Sequence, residues 1–216
     1  MSELLHATDP LGTYIKTGPR SVLMQEIRHY ARQHGEAPFA LPVVHIILLT
    51  STGLIRMVQR GNKPENPYLW DKAVGGHVVC EERSLPLTAF HTNAKKEMAE
   101  ELNIHQVHIA KDPWEYHQKL YTHDINTQQQ ALIRMIDYDP WQGAICRVHQ
   151  GEPWLKRHQV VVYVGVYDGP FHFADGEAVA EKSISRQHLM AEINESPWQY
   201  ADGARVFMTK YYHLLR

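Results

Sequence analysis

Three carboxylates set the tightest constraint in this sequence. The stretch KEMAEELNI places Glu97, Glu100 and Glu101 at positions i, i+3 and i+4, which share one face of an α-helix. Like charges held that closely repel, and the local pattern supplies no three cations to match them. A hard divalent cation, Mg²⁺ or Mn²⁺, is one compensation, because such ions take oxygen ligands from carboxylates, water and substrate phosphates. A solvated acidic helix face is the other reading. In front of this run, Gly75-Gly76 follows the apolar, aromatic-containing segment Tyr68 to Val74, as a loop follows a strand. Glycine there lets backbone approach a ligand and frees a carbonyl to act as one. The expected unit is a glycine loop, a carboxylate helix and a turn at Asn103.

These residues resemble the Nudix box, G-x5-E-x7-R-E-U-x-E-E-x-G-U, with U aliphatic. Gly76, Glu82, Lys96, Glu97, Met98, Glu100, Glu101, Asn103 and Ile104 fall on its nine patterned positions. Three departures mark this chain. The spacer from Arg83 to Lys95 holds thirteen residues where the pattern has seven, an insertion of six. Lys96 stands in place of arginine and cannot form a bidentate fork with Glu82. Asn103 replaces glycine, and Asn is among the few residues that tolerate the left-handed conformation.

The resemblance implies an α/β fold with a mixed β-sheet sandwiched between α-helices, spanning 1–216 as one domain with an N-terminal helical extension of about 1–40. It also implies a cation held by Glu97, Glu100, Glu101 and the Gly76 carbonyl, with Glu82 and Lys96 as a supporting pair. The implied reaction is hydrolysis of a diphosphate linkage in a small, nucleoside-diphosphate-type substrate, and a homodimer is a further implication. Many members carry one more glutamate outside the box. In ADGEAVAEKSIS that residue is Glu177, with Glu181 second, and an ordinary exposed acid is the alternative for both.

The words PYLWDKAVGGHV also resemble the isopentenyl-diphosphate isomerase branch of the family. Those enzymes carry a catalytic cysteine in a CGH motif. Here Gly75 occupies that place while Gly76 and His77 match, and Cys80 lies too far along to substitute. His77 is then a weak metal candidate. Two alternatives to the hydrolase stay open: an isomerase-like enzyme, and a non-catalytic nucleotide-binding domain.

Composition narrows the remaining classes. The 216 residues are 44% hydrophobic and 21% charged, as in globular chains with a real core. A net charge of −2 gives no basic surface for nucleic acid. No apolar run approaches the roughly 18 residues that span a membrane, and MSELLHATDPLG is no signal peptide, so a cytoplasmic location is expected. Cys80 and Cys146 form no CxxC pair and read as reduced thiols. Fifteen histidines show no HxxxH or HExxH spacing, and His105 and His108 read as surface residues.

Along the chain, residues 1–18 read as irregular, punctuated by Pro10, Gly12 and Gly18. Val22, Leu23, Ile27, Tyr30 and Ala31 recur at helical spacing over Ser21 to Gln33, either docked on the core or forming a dimer contact. Leu41–Thr50 and Leu54–Arg60 read as a hairpin about Ser51-Thr52-Gly53. Arg56 and Arg60 share a face of the second strand, which makes Arg60 a candidate for substrate phosphate or a solvated edge residue. Val107–Ala110 and Trp114–Tyr121 read as strands, and Thr127–Ile136 as helix or strand. Pro140, Gly143, Gly151 and Pro153 are expected to break the chain beyond Ile136 into short pieces. Val160–Tyr167 reads as a central strand, and helices close the chain near Arg186–Asn194 and Asp202–Leu215. The irregular stretches 61–70 and 124–156 are where a leaving-group pocket is expected.

Overall fold

The structure is a computed structural model describing residues 3–79, 85–147, 151–173 and 176–215. Its first half runs β1 (Leu4–Thr8), β2 (Tyr14–Pro19), α1 (Arg20–His34), β3 (Ala40–Leu49), β4 (Ile55–Arg60), β5 (Trp70–Asp71), β6 (Val74–His77) and α2 (Leu87–Leu102). The second half runs β7 (Val107–Ala110), α3 (Pro113–Tyr121), β8 (Ala131–Cys146), β9 (Trp154–Val166), β10 (Ala178–Ile184), α4 (Arg186–Glu195) and α5 (Asp202–Tyr211). Among the described residues these strands form one mixed sheet with the path β10-β4-β3-β9-β8-β7.

At the centre, β3 and β9 pair in parallel from Ala40↔Arg157 to Leu49↔Val166. Both are buried on the two faces of the sheet, which is why ALPVVHIILL and VVVYVGV read as continuous apolar runs. On one face Val44, Ile46, Leu48 and Tyr163 pack against Phe90, Ala94 and Met98 of α2. On the other, Val43, Ile47, Val160 and Val162 pack against α4 and α5 through Leu189, Phe207, Met208 and Tyr211. The sheet therefore lies between helices, as the Nudix resemblance implies.

One feature of the sheet positions the site. Along a single edge, β3 pairs with β4 only at Leu48–Leu49 and with β6 at Val43–Ile46. The two neighbours diverge from that edge, leaving a wedge between Arg60 at the end of β4 and the glycines of β6.

Several local expectations need correction. Residues 1–18 are not irregular: β1 and β2 form a hairpin, and Thr8 joins it to Ala40 of β3. Leu23, Ile27 and Ala31 of α1 pack with Leu5, Trp154 and Cys146, so that helix is docked. Gly75-Gly76 lies within strand β6 rather than in a loop. Trp114–Tyr121 is helix α3, because Asp112 caps it by accepting from the Glu115 amide and Pro113 sits in its first turn. Thr127–Ile136 resolves to the start of β8, which runs on through Pro140 and Gly143. The register jumps between Asp139↔Val160 and Gln142↔His158, so Pro140 falls at a bulge where no ladder donor is needed. No described helix is long and apolar enough to cross a membrane.

The β8–β9 contact leaves no room at Gly165, where an added Cβ would run into the Leu132 carbonyl oxygen and the Ile133 backbone. Gly165→Ala is expected to cost about 1–3 kcal/mol through overpacking. Urea denaturation should show a lower midpoint with an unchanged slope.

Candidate active site

Helix α2 builds the site's acidic wall. Its buried stripe, Phe90, Ala94, Met98 and Leu102, fixes its rotation against the sheet. It stops at Asn103, which takes the left-handed conformation at φ 59°, while the amides of Asn103 and Ile104 bond back to Ala99 and Met98 carbonyls. The substitution of Asn for glycine in the box is thus accommodated as expected.

With that rotation set, Glu97 turns inward and is 9% exposed, Glu101 is half-buried and Glu100 faces solvent. Glu97 lies directly over β6: a Cβ at Gly76 would occupy the space of the Glu97 carboxyl group. Only glycine admits this approach. Asn93 donates to Glu97 Oε1 at 3.3 Å. Lys96 sits 3.1 Å from Glu100 and 3.5 Å from Glu97. Its expected partner Glu82 lies outside the described residues, as does Cys80.

Burial pushes the Glu97 carboxyl above its ordinary pKa, against the pull of Lys96. Glu101 is pushed up further, first by burial and then by the charges of Glu97 and Glu177. Lys96 is held above the usual lysine range because Glu100 and Glu97 outweigh its own burial.

These carboxylates and Gly76 line a cavity of about 620 Å³. Arg60 and Glu177 line it too, while Glu181 pairs with the buried Arg56 at 2.9 Å. Arg56 also donates to the carbonyls of Tyr167 and Gly169 and stacks on Phe171, which makes it a structural residue. Glu177 is ion-paired with Lys63. Arg60 Nη1 lies 3.6 Å from Asp71, and its buried Nε has no partner among the described residues. Wall residues Lys63, Glu65 and Asn66 come from residues 61–70, and Ala144 to Cys146 with Lys156 from residues 124–156, where they lie on β8 and β9 rather than in irregular chain.

Several cavity residues were not anticipated. Lys72 is 8% exposed, with its ammonium 3.3 Å from Asp71 Oδ1. Lys156 pairs with Glu65 at 2.8 Å. His45, His77 and His158 cluster on the sheet face away from α2, with ring centroids of 5.9 Å for His45–His158 and 6.4 Å for His77–His158. Burial holds all three imidazoles well below the usual histidine pKa, and the nearby lysines reinforce it. A signal existed: His45 is the lone polar residue between Val44 and Ile46, and Lys156 and His158 continue the alternation of β9. Cys146 lines the cavity, but burial pushes its thiol up to about 11, so it stays protonated.

The chemistry of the donor set fits a hard cation. It consists of carboxylate oxygens and a backbone carbonyl, burial and then neighbouring charge raise the proton affinity of two of the acids, and glycine keeps the approach open. Among the described residues no three acidic, histidine or cysteine side chains already close on one point. A Mg²⁺ site that keeps several waters does not require that they do.

No protein-family model matches the sequence, and no curated protein matches it. Solved structures do. DR0079 from Deinococcus radiodurans is 17% identical, with 99% of this chain and 98% of that one covered and a TM-score of 0.59. Tm1382, a candidate Nudix hydrolase, is 10% identical, with 99% and 90% covered and a TM-score of 0.52. At such identities the likeness is one of fold. Taken with box carboxylates that turn onto a glycine strand at a split sheet edge, it gives this chain the Nudix fold.

Proposed function

We propose that this chain is a divalent-metal-dependent pyrophosphohydrolase that cleaves a diphosphate linkage in a nucleoside-diphosphate-type substrate. The observation that carries it is the arrangement of Glu97, Glu101 and Gly76 at the mouth of a cavity whose other walls bear Arg60, Lys63, Lys72 and Lys156. Hard oxygen donors on one wall and cations on the others suit a substrate that is itself a polyanion.

Mg²⁺ or Mn²⁺ held by Glu97, Glu100, Glu101 and the Gly76 carbonyl would supply charge neutralisation at phosphorus and acidify the attacking water. The chain's own residues do the rest. Arg60, anchored by Asp71 and by its bond to the Glu65 carbonyl at 3.3 Å, lines the cavity and positions a phosphoryl oxygen. A carboxylate with raised proton affinity, Glu97 or Glu101, accepts the proton of the attacking water. Because phosphoryl transfer asks mainly for positioning and electrostatics, the rigid β6–α2 contact is the important structural input.

The isomerase alternative loses ground at Gly75. A Cβ there would lie 3.0 Å from Lys72 Cε and 3.1 Å from its Nζ. A cysteine in that place would crowd the end of the Lys72 side chain.

Two measurements test this reading. Against nucleotide sugars, dinucleotides, nucleoside triphosphates and isopentenyl diphosphate, Mg²⁺-dependent phosphate-bond cleavage is expected. Glu101→Gln should lower it by at least about a hundredfold. Binding without turnover of any member, or isomerisation without phosphate release, would overturn the hydrolase.

The second measurement concerns stability. A carboxyl whose pKa is raised on folding binds protons more tightly in the folded state. Its stabilising effect is therefore complete below the unfolded value, near 4.5, and is lost as pH rises toward the folded value. The contribution of Glu101 to the stability of the metal-free protein should fall as pH climbs above that point. Glu101→Gln should raise the melting temperature near neutrality and do nothing for it below pH 4.5. Thermal scans of the chelator-treated protein across pH check both.

A further inference from the structure

Side chains alternate across β6, so Gly76 faces α2 while Gly75 and His77 face the opposite side. On that opposite side the ammonium of Lys72 lies between two glycines. An added Cβ would fall 3.1 Å from it both at Gly75 and at Gly203, in the first turn of α5. Lys72 is 8% exposed, yet among the described residues its only hydrogen-bond acceptor beyond its own backbone neighbourhood is Asp71, at 3.3 Å. Arg60 shares that same carboxylate at 3.6 Å, so Asp71 alone does not use up the donors of Lys72. An ammonium has three protons to donate, and a buried one left short of acceptors is costly.

Other donors meet at this spot. The N-terminus of α5 brings unbonded amides and the positive end of the helix dipole to Gly203. His158 is 7% exposed with neither ring nitrogen partnered, and His77 Nε2 is likewise buried and unpartnered. The charged groups acting on these imidazoles are Lys72, Lys156 and Arg20. Lys156 and Arg20 are already paired, with Glu65 and Glu3, which leaves the Lys72 ammonium and the two unpartnered imidazoles with hydrogen-bonding capacity to spare for an oxyanion.

We propose that this side of the cavity, formed by Lys72, the first turn of α5 and the His45–His77–His158 cluster, is an oxyanion subsite that holds a substrate phosphoryl group not held by the metal carboxylates. It rests on the pyrophosphohydrolase reading and makes it more specific. The substrate straddles β6, with the reacting phosphorus on the Glu97 side and a second phosphoryl group on the Lys72 side. Small residues at 75 and 203 are required because the oxyanion and the ammonium share that space.

The test is calorimetric titration of the full-length, chelator-treated protein with inorganic pyrophosphate. Binding without divalent metal is expected. Lys72→Met should weaken it at least tenfold and His158→Phe severalfold, while Glu101→Gln should leave it intact or tighter. Gly203→Ala, a change that a helix tolerates, should also weaken binding severalfold and covers the case in which Lys72→Met fails to fold. Absence of metal-free binding by the unaltered protein, or unchanged affinity in Gly203→Ala together with any folded Lys72→Met, overturns the subsite. So does loss of binding in Glu101→Gln. Failure of the hydrolase reading appears separately, as absence of turnover with pyrophosphate affinity still dependent on Lys72.

Discussion

The approach of Glu97 to the backbone of Gly76 is the contact on which the arrangement depends. It brings a carboxylate into a place where a side chain on the strand would have to be. That geometry costs desolvation, visible in the raised proton affinities of Glu97 and Glu101. The core holds it in place. Phe90, Ala94 and Met98, on the same helix, are buried against Val44, Ile46 and Leu48. Rotating α2 to relieve the carboxylates would pull those apolar groups from the sheet, and full burial of a side chain of that size stabilises by roughly 1.5–3 kcal/mol. Local conflict of this kind, sustained by surrounding packing, is expected at functional sites.

A second constraint comes from β3. Because it serves both β4 and β6 along one edge, the sheet splits, and the wedge cannot be filled by either neighbour. Charged residues at the strand ends line it instead. Alternation along β6 then puts the carboxylates of α2 on one side of the glycine pair and Lys72 with the imidazoles on the other.

How much was legible in the sequence depends on the range of the interactions involved. The α2 carboxylates, the β3–β4 hairpin and the two C-terminal helices are set by local periodicity and turn residues, and they lie where expected. Trp114–Tyr121 looked like a strand because its aromatics have high β-propensity, but the Asp112 cap and Pro113 decide for helix. β8 looked broken because Pro140 and Gly143 are poor strand residues, yet a bulge absorbs the first and pairing with β9 carries the rest. The N-terminal hairpin owes its order partly to β3 and α1, contacts no local window contains. In the site, strand alternation singled out Arg60 and the family resemblance singled out Glu177, and both line the cavity. Lys72, Lys156 and the three histidines were not singled out, since tertiary pairing alone brings them from separate segments to one cavity.

Lysine in place of the box arginine fits the rest of this geometry. Among the described residues Lys96 pairs on its own helix, bridging Glu97 and Glu100 as a point charge. Its bond to Glu100 is an exposed i,i+4 pair, and such pairs contribute only about 0.3–0.5 kcal/mol. Glu97, by contrast, is fixed by burial and by Asn93. The acidic face therefore has two kinds of carboxylate. Glu97 and Glu101 are turned toward the protein, whereas Glu100 faces solvent and gives up Lys96 at little cost. Under the proposed function, a ligand entering from solvent would meet two acids held by packing and one free to adjust to it without disturbing the core beneath.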